Sequence, residues 1–173
     1  MDAYASPSAQ QHRAQAPAAL RCAVVTVSDT RTLATDRGGD LIVERLAAAG
    51  HSVAERALVP DEPVALTALV GALAARPDVD AILLTGGTGL AARDRTPDAL
   101  RGLFALEIPG YGELFRMLSY QEIGAAAMLS RAVGGVINRK VVLLMPGSVA
   151  AVRLALEKLI LPELPHLVEH ATH

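Results

Sequence analysis

Three stretches of the chain are apolar at consecutive positions rather than at alternate ones: Arg21-Cys-Ala-Val-Val-Thr-Val-Ser28, Asp80-Ala-Ile-Leu-Leu-Thr85 and Lys140-Val-Val-Leu-Leu-Met145. A strand that is apolar on both faces needs cover on both faces, and a parallel sheet wrapped by crossover helices provides it. The intervening segments read as those helices. Leu41, Ile42, Arg45, Leu46 and Ala49 recur at helical spacing, with Asp40 placed to cap and Gly50 to stop the helix. Residues 51–59 read as a further strand ending at Pro60-Asp61. Residues 62–75 carry Val64, Leu66, Leu69, Val70 and Leu73 as a second helix that stops before Pro77. A third helix is expected from Thr96 as cap with Pro97 in its first turn, and short helices are expected over residues 108–130 around Pro109-Gly110. Ser148 opens a last long helix through Leu161, interrupted by Pro162 and Pro165. Strands alternating with helices define an α/β sheet with crossover helices.

A formal charge of −2 over 173 residues argues against a nucleic-acid grip, which calls for a basic face. A single cysteine, Cys22, excludes an internal disulfide and, lying within a strand, reads as a buried thiol. No run reaches the roughly 20 apolar residues that a membrane helix requires. Residues 1–19 are rich in alanine and interrupted by Pro7 and Pro17, without a signal-peptide core, and read as a disordered tail ahead of one domain at 20–173. A cytoplasmic protein is expected. The apolar share is 51% but the aromatic share only 3%, so the core must be aliphatic, with apolar surface to spare for burial between subunits.

In open α/β sheets, ligands bind beyond the carboxyl ends of the strands. Four such ends are unusual: Ser28-Asp29, Pro60-Asp61, Thr85-Gly-Gly-Thr-Gly89 and Pro146-Gly147-Ser148. The glycine loop can aim backbone N–H groups at an anion or can be a tight connection only. It lacks the Gly-Lys-Ser/Thr of a P-loop and the spacing of a dinucleotide fingerprint. Asp94, within Arg93-Asp94-Arg95, suits a magnesium ion beside phosphate, or a solvated turn paired to an arginine. Asp61 is either a second magnesium ligand or a turn aspartate. Ser130-Arg131 can pair with a phosphate or carboxylate, or serve as a helix cap and a surface arginine. Ser148 suits a helix cap, a role compatible with anion binding. His166 and His170 stand four apart, a zinc-binding spacing without a third ligand in view.

The ordered set Thr85-Gly-Gly-Thr-Gly89, Arg93-Asp94, Thr96-Pro97, Glu107-Ile-Pro-Gly-Tyr-Gly-Glu113 with Phe115-Arg116, Leu129-Ser-Arg131 and Met145-Pro-Gly-Ser148 resembles the MoaB group of the MoaB/Mog molybdopterin-binding family, from about Leu20 to Leu167. The resemblance implies a three-layer α/β sandwich with a mostly parallel central sheet and helices on both faces, assembled as a homotrimer or hexamer. It implies molybdenum cofactor biosynthesis by transfer of AMP from Mg-ATP to the terminal phosphate of molybdopterin, releasing pyrophosphate. On this resemblance Asp61 and Asp94 are the catalytic, magnesium-holding pair. Ser28, Thr85, Gly86, Gly87, Thr88 and Gly89 cradle nucleotide and phosphate, while Ser130, Arg131, Pro146, Gly147 and Ser148 face the pterin. Other molybdenum cofactor synthesis enzymes are expected partners. Where family adenylyltransferases carry Pro-Gly-Asn-Pro or Pro-Gly-Gln-Pro, this chain has Pro146-Gly147-Ser148-Val149. That difference leaves open a molybdopterin carrier or scaffold without turnover, and, beyond it, an oligomeric nucleotide-binding protein without a pterin role.

Overall fold

The computed structural model describes residues 17–172; the expected tail lies outside the described residues except for 17–19. Six strands form one sheet: β1 (Arg21–Val27), β2 (Ser52–Val59), β3 (Ala81–Thr85), β4 (Leu106–Glu107), β5 (Val133–Ile137) and β6 (Lys140–Met145). Their order is β2-β1-β3-β6-β5-β4. The first four in that order run parallel, and β5 pairs antiparallel with both β6 and β4.

The unbroken apolar runs are explained by two cores. Cys22, Val24, Leu83 and Leu143 face one helical layer, whereas Ala23, Val25, Ile82 and Leu144 face the other. The first layer holds α1 (Arg37–Ala48), α4 (Pro109–Ile123), α5 (Val149–Ala155) and α6 (Leu161–Thr172). The second holds α2 (Pro63–Ala74) and α3 (Thr96–Arg101). The protein is thus the expected three-layer sandwich around a mostly parallel sheet. Cys22 is fully buried, and burial pushes its thiol up to about 12, which leaves it protonated and inert. Among the described residues no helix is long and apolar enough to cross a membrane.

Several local expectations are corrected. Asp36, not Asp40, caps α1: its carboxylate accepts from the Gly39 N–H at 3.0 Å and from the Thr26 hydroxyl at 2.6 Å. Asp40 lies inside the first turn and pairs with Arg56 at 2.7 Å. Arg95 occupies the cap position of α3 without a side-chain cap, which frees the Thr96 hydroxyl to donate to Asp61. Residues 109–123 form one 15-residue helix, followed by a 3₁₀ segment, Gly124–Leu129. Pro109 occupies the first turn of that helix, where its missing N–H costs nothing.

The last helix does not stop at Pro162 and Pro165. It continues to Thr172 through a wide π turn, Leu156–Ile160, in which the Leu161 N–H reaches back to the Leu156 carbonyl. Strand β5 was hidden in the sequence by Gly134-Gly135. A Cβ at position 135 would overlap the Phe104 ring, and one at 134 would overlap Leu143 Cδ2 with the Tyr111 ring 3.2 Å away, so neighbouring side chains fill the space of the missing ones. Asn138 and Arg139, both at positive φ, make the two-residue hairpin to β6.

Asp36 is 1% exposed and also receives Arg56 at 3.4 Å, so it joins α1 to β1 and β2. Asp36→Ala is expected to cost about 3 kcal/mol, because it orphans buried partners as well as the helix end. The measurement is a lower urea midpoint with an unchanged slope.

Candidate functional site

Parallel register brings the unusual strand ends to one edge. Thr26 pairs with Thr85, and Thr85 with Met145, so the segments that follow emerge side by side. Gly86 (φ 104°) donates its N–H to the Met145 carbonyl at 3.2 Å, and a Cβ there would overlap the Val27 carbonyl. Only glycine can make that turn. The Thr85 hydroxyl donates to the Pro146 carbonyl at 3.0 Å, and Arg31 donates to the Gly147 carbonyl at 3.0 Å. Thr85, Gly86 and Gly147 therefore tie the loops together from behind.

Two cavities flank the glycine loop. The first, about 130 Å³, is lined by Ser28, Asp29, Asp61, Gly87, Arg93 and Asp94. The Asp29 carboxylate accepts the Asp61 N–H at 3.0 Å, and Asp61 accepts the Thr96 hydroxyl at 3.3 Å. Asp94 accepts the Ala91 N–H at 3.0 Å, which turns its carboxylate back toward the loop. A Cβ on Gly89 would overlap that carboxylate, and one on Gly87 would overlap the Thr96 hydroxyl that donates to Asp61. The glycines thus leave room for both acidic groups. Burial raises the pKa of the Asp61 carboxyl above its ordinary value, and the nearby negative charges of Asp94 and Asp29 add to this against the Thr96 hydrogen bond.

Hard carboxylate oxygens on two sides of a small polar cavity suit magnesium, which favours one or two carboxylates together with phosphate oxygens and water. Among the described residues no group of three or more His, Cys, Asp or Glu side chains could hold a metal. His166 and His170 contact each other through Nε2 at 2.9 Å, and His166 meets Glu163 at 3.2 Å.

The second cavity, about 210 Å³, has apolar walls from Phe115, Ile123, Leu129 and Pro146, with Thr88, Gly89, Ser130 and Ser148 on its rim. Ser148 caps α5 by accepting the Ala151 N–H at 3.2 Å, and Ser130 accepts the Ala132 N–H at 3.4 Å. Arg131 lines neither cavity. Its guanidinium donates to the carbonyls of Gly89 (3.1 Å) and Asp94 and pairs with Asp98 at 2.9 Å, bracing the loop that carries Asp94. Asp29 and Arg93 were legible as strand-end and loop residues but had no assigned role. Phe115 was read only as part of the family motif, and Ser119 and Ile123 not at all, because their common spacing has meaning only on one continuous helix.

A glycine loop, two aspartates and a neighbouring apolar cavity at the carboxyl edge of the sheet place this protein among α/β domains whose ligand sites lie at that edge. A family model described as "Probable molybdopterin binding domain" matches residues 23–166. Molybdenum cofactor biosynthesis protein B of Bacillus anthracis is 53% identical over 161 residues, covering 92% of this chain and 95% of that protein. A crystal structure of a molybdenum cofactor biosynthesis protein B superposes with a TM-score of 0.88 at 52% identity, over 91% of this chain and 98% of the other. The tungsten cofactor synthesizing protein MoaB from Pyrococcus furiosus gives a TM-score of 0.78 at 35% identity, over 91% and 100%. The chain belongs to the MoaB/Mog molybdopterin-binding family.

Because the fold raises the Asp61 pKa, it favours the protonated form. Its cost to stability is absent at low pH and appears as pH rises through the folded-state value. Asp61→Asn is expected to raise the melting temperature at about pH 7, with the gain shrinking toward about pH 4. Thermal unfolding of both proteins across that range is the check.

Proposed function

We propose that the protein acts in molybdenum cofactor biosynthesis in the cytoplasm, binding molybdopterin and transferring AMP from Mg-ATP to its terminal phosphate. The observation that carries this reading is the pair of cavities on either side of one glycine loop, one acidic and polar, the other apolar with hydroxyl groups. A ligand with a neutral ring and a phosphate tail would span them, its phosphate lying against the loop where the nucleotide phosphates also arrive.

In the transfer, an oxygen of the molybdopterin phosphate attacks the α-phosphorus of ATP. A new P–O bond forms as the bond to the bridging oxygen breaks, and pyrophosphate leaves with the electron pair. Asp61 and Asp94 would hold a magnesium ion that comes with ATP, and the ion would neutralise phosphate charge. Ser28 with the amides of Gly87 to Gly89 orients phosphate oxygens, while the Gly86 amide stays bonded to the Met145 carbonyl. Such transfer demands positioning and electrostatics more than covalent work by the protein. Arg131 keeps the Asp94 loop in position, while Ser130, Pro146 and Ser148 border the ring.

A homo-oligomer, trimer or hexamer, completes the reading, since Met117, Tyr120 and Met128 are each more than half exposed along α4 and the 3₁₀ segment after it. Sedimentation is expected to show that assembly, and Met117→Glu to shift it toward monomer.

Purified protein mixed with molybdopterin and Mg-ATP is expected to yield adenylylated pterin and pyrophosphate. Asp94→Asn should lower the rate by roughly a hundredfold or more while pterin binding stays near wild type. Pterin binding with no pyrophosphate release in either protein would instead support a carrier or scaffold serving other cofactor-synthesis enzymes. ATP binding without pterin binding would support a nucleotide-binding protein.

A further inference from the structure

Phe115, Ser119 and Ile123 stand at successive i, i+4 positions of α4 and all line the apolar cavity. Ser119 is the polar member of that stripe, 6% exposed, and its hydroxyl has no hydrogen-bond partner among the described residues. Across the cavity Thr88, 8% exposed, likewise leaves its hydroxyl unpartnered. Elsewhere in this chain a helical hydroxyl is satisfied locally, as when Thr67 donates to the Pro63 carbonyl at 2.8 Å. Neither hydroxyl is sealed inside packed protein; each opens on the cavity, where packing alone has no need of a polar group at position 119. No charged side chain lines this cavity, in contrast to its acidic neighbour.

We infer that Ser119 is a ligand-recognition residue, its hydroxyl hydrogen-bonding the edge of a neutral planar heterocycle held between α4 and the Thr88-Gly89 backbone. The inference rests on the molybdopterin reading above and adds a contact from a helix outside the loop motifs. A hydroxyl can donate or accept, which suits the mixed donor and acceptor edge of a pterin ring. The apolar walls bury the ring faces, while the hydroxyls discriminate its edge. Recognition of the ring is thereby separated from that of the phosphates.

The test titrates wild type, Ser119→Ala and Ser119→Met with molybdopterin and, separately, with Mg-ATP, alongside thermal unfolding of each protein. Loss of one hydrogen bond is expected to weaken molybdopterin binding about tenfold in Ser119→Ala. Mg-ATP affinity should not change, and the melting temperature should stay close to wild type, because the Ser119 hydroxyl holds no other part of the protein. Ser119→Met, whose side chain would project into the cavity, is expected to abolish pterin binding while Mg-ATP still binds. Unchanged pterin affinity in Ser119→Ala overturns the inference and leaves the functional reading standing. So does a parallel loss of both ligands with a lower melting temperature, which marks a structural role. Wild-type protein that binds no molybdopterin overturns both.

Discussion

The backbone contact of Gly86 with the strands on either side of it is the constraint on which the site depends. Its N–H is held by β6, and its missing Cβ lets the chain pass against the end of β1. That places the glycine loop at the junction of three buried parallel strands, where the backbone is least free to move. The loop can then separate two chemically different cavities without a bulky side chain between them. Parallel register makes this possible, since Thr26, Thr85 and Met145 lie in line across the sheet.

Around this junction, charge serves two distinct purposes. Asp36 and Arg56, set below the site, join α1 to the sheet. Arg31 and Arg131 donate mainly to backbone carbonyls and hold the Gly147 and Asp94 segments in place. By contrast, Asp61 and Asp94 line one cavity, where burial above all, and to a lesser degree the charge of Asp94, raises the Asp61 pKa. The arginines hold loops in place, whereas Asp61 and Asp94 line the cavity.

Much of the fold was legible because it follows from local pattern. Continuous apolar runs require a sheet covered on both faces, and 140–145 was readable to the residue because a polar turn and a proline bracket it. The errors share one cause. Gly134-Gly135 gives no strand signal until Phe104, Leu143 and Tyr111 are known to fill its missing side-chain volume. Pro162 and Pro165 read as stops until a π turn rearranges the hydrogen bonds ahead of them. Asp40 and Asp36 are equally good caps by composition, and only Thr26 and Arg56, brought near by the sheet, select Asp36.

By itself, then, the sequence determined the covered parallel sheet, the loop motifs at its carboxyl edge and the family to which those motifs belong. These are matters of short-range spacing and residue chemistry. Tertiary structure alone decided which residues share a cavity: it set Asp29 against Asp61, turned Arg131 onto the loop carbonyls and placed Ser119 opposite Thr88. Such pairs lie far apart along the chain and meet only through strand order and helix packing, so no local pattern carries them.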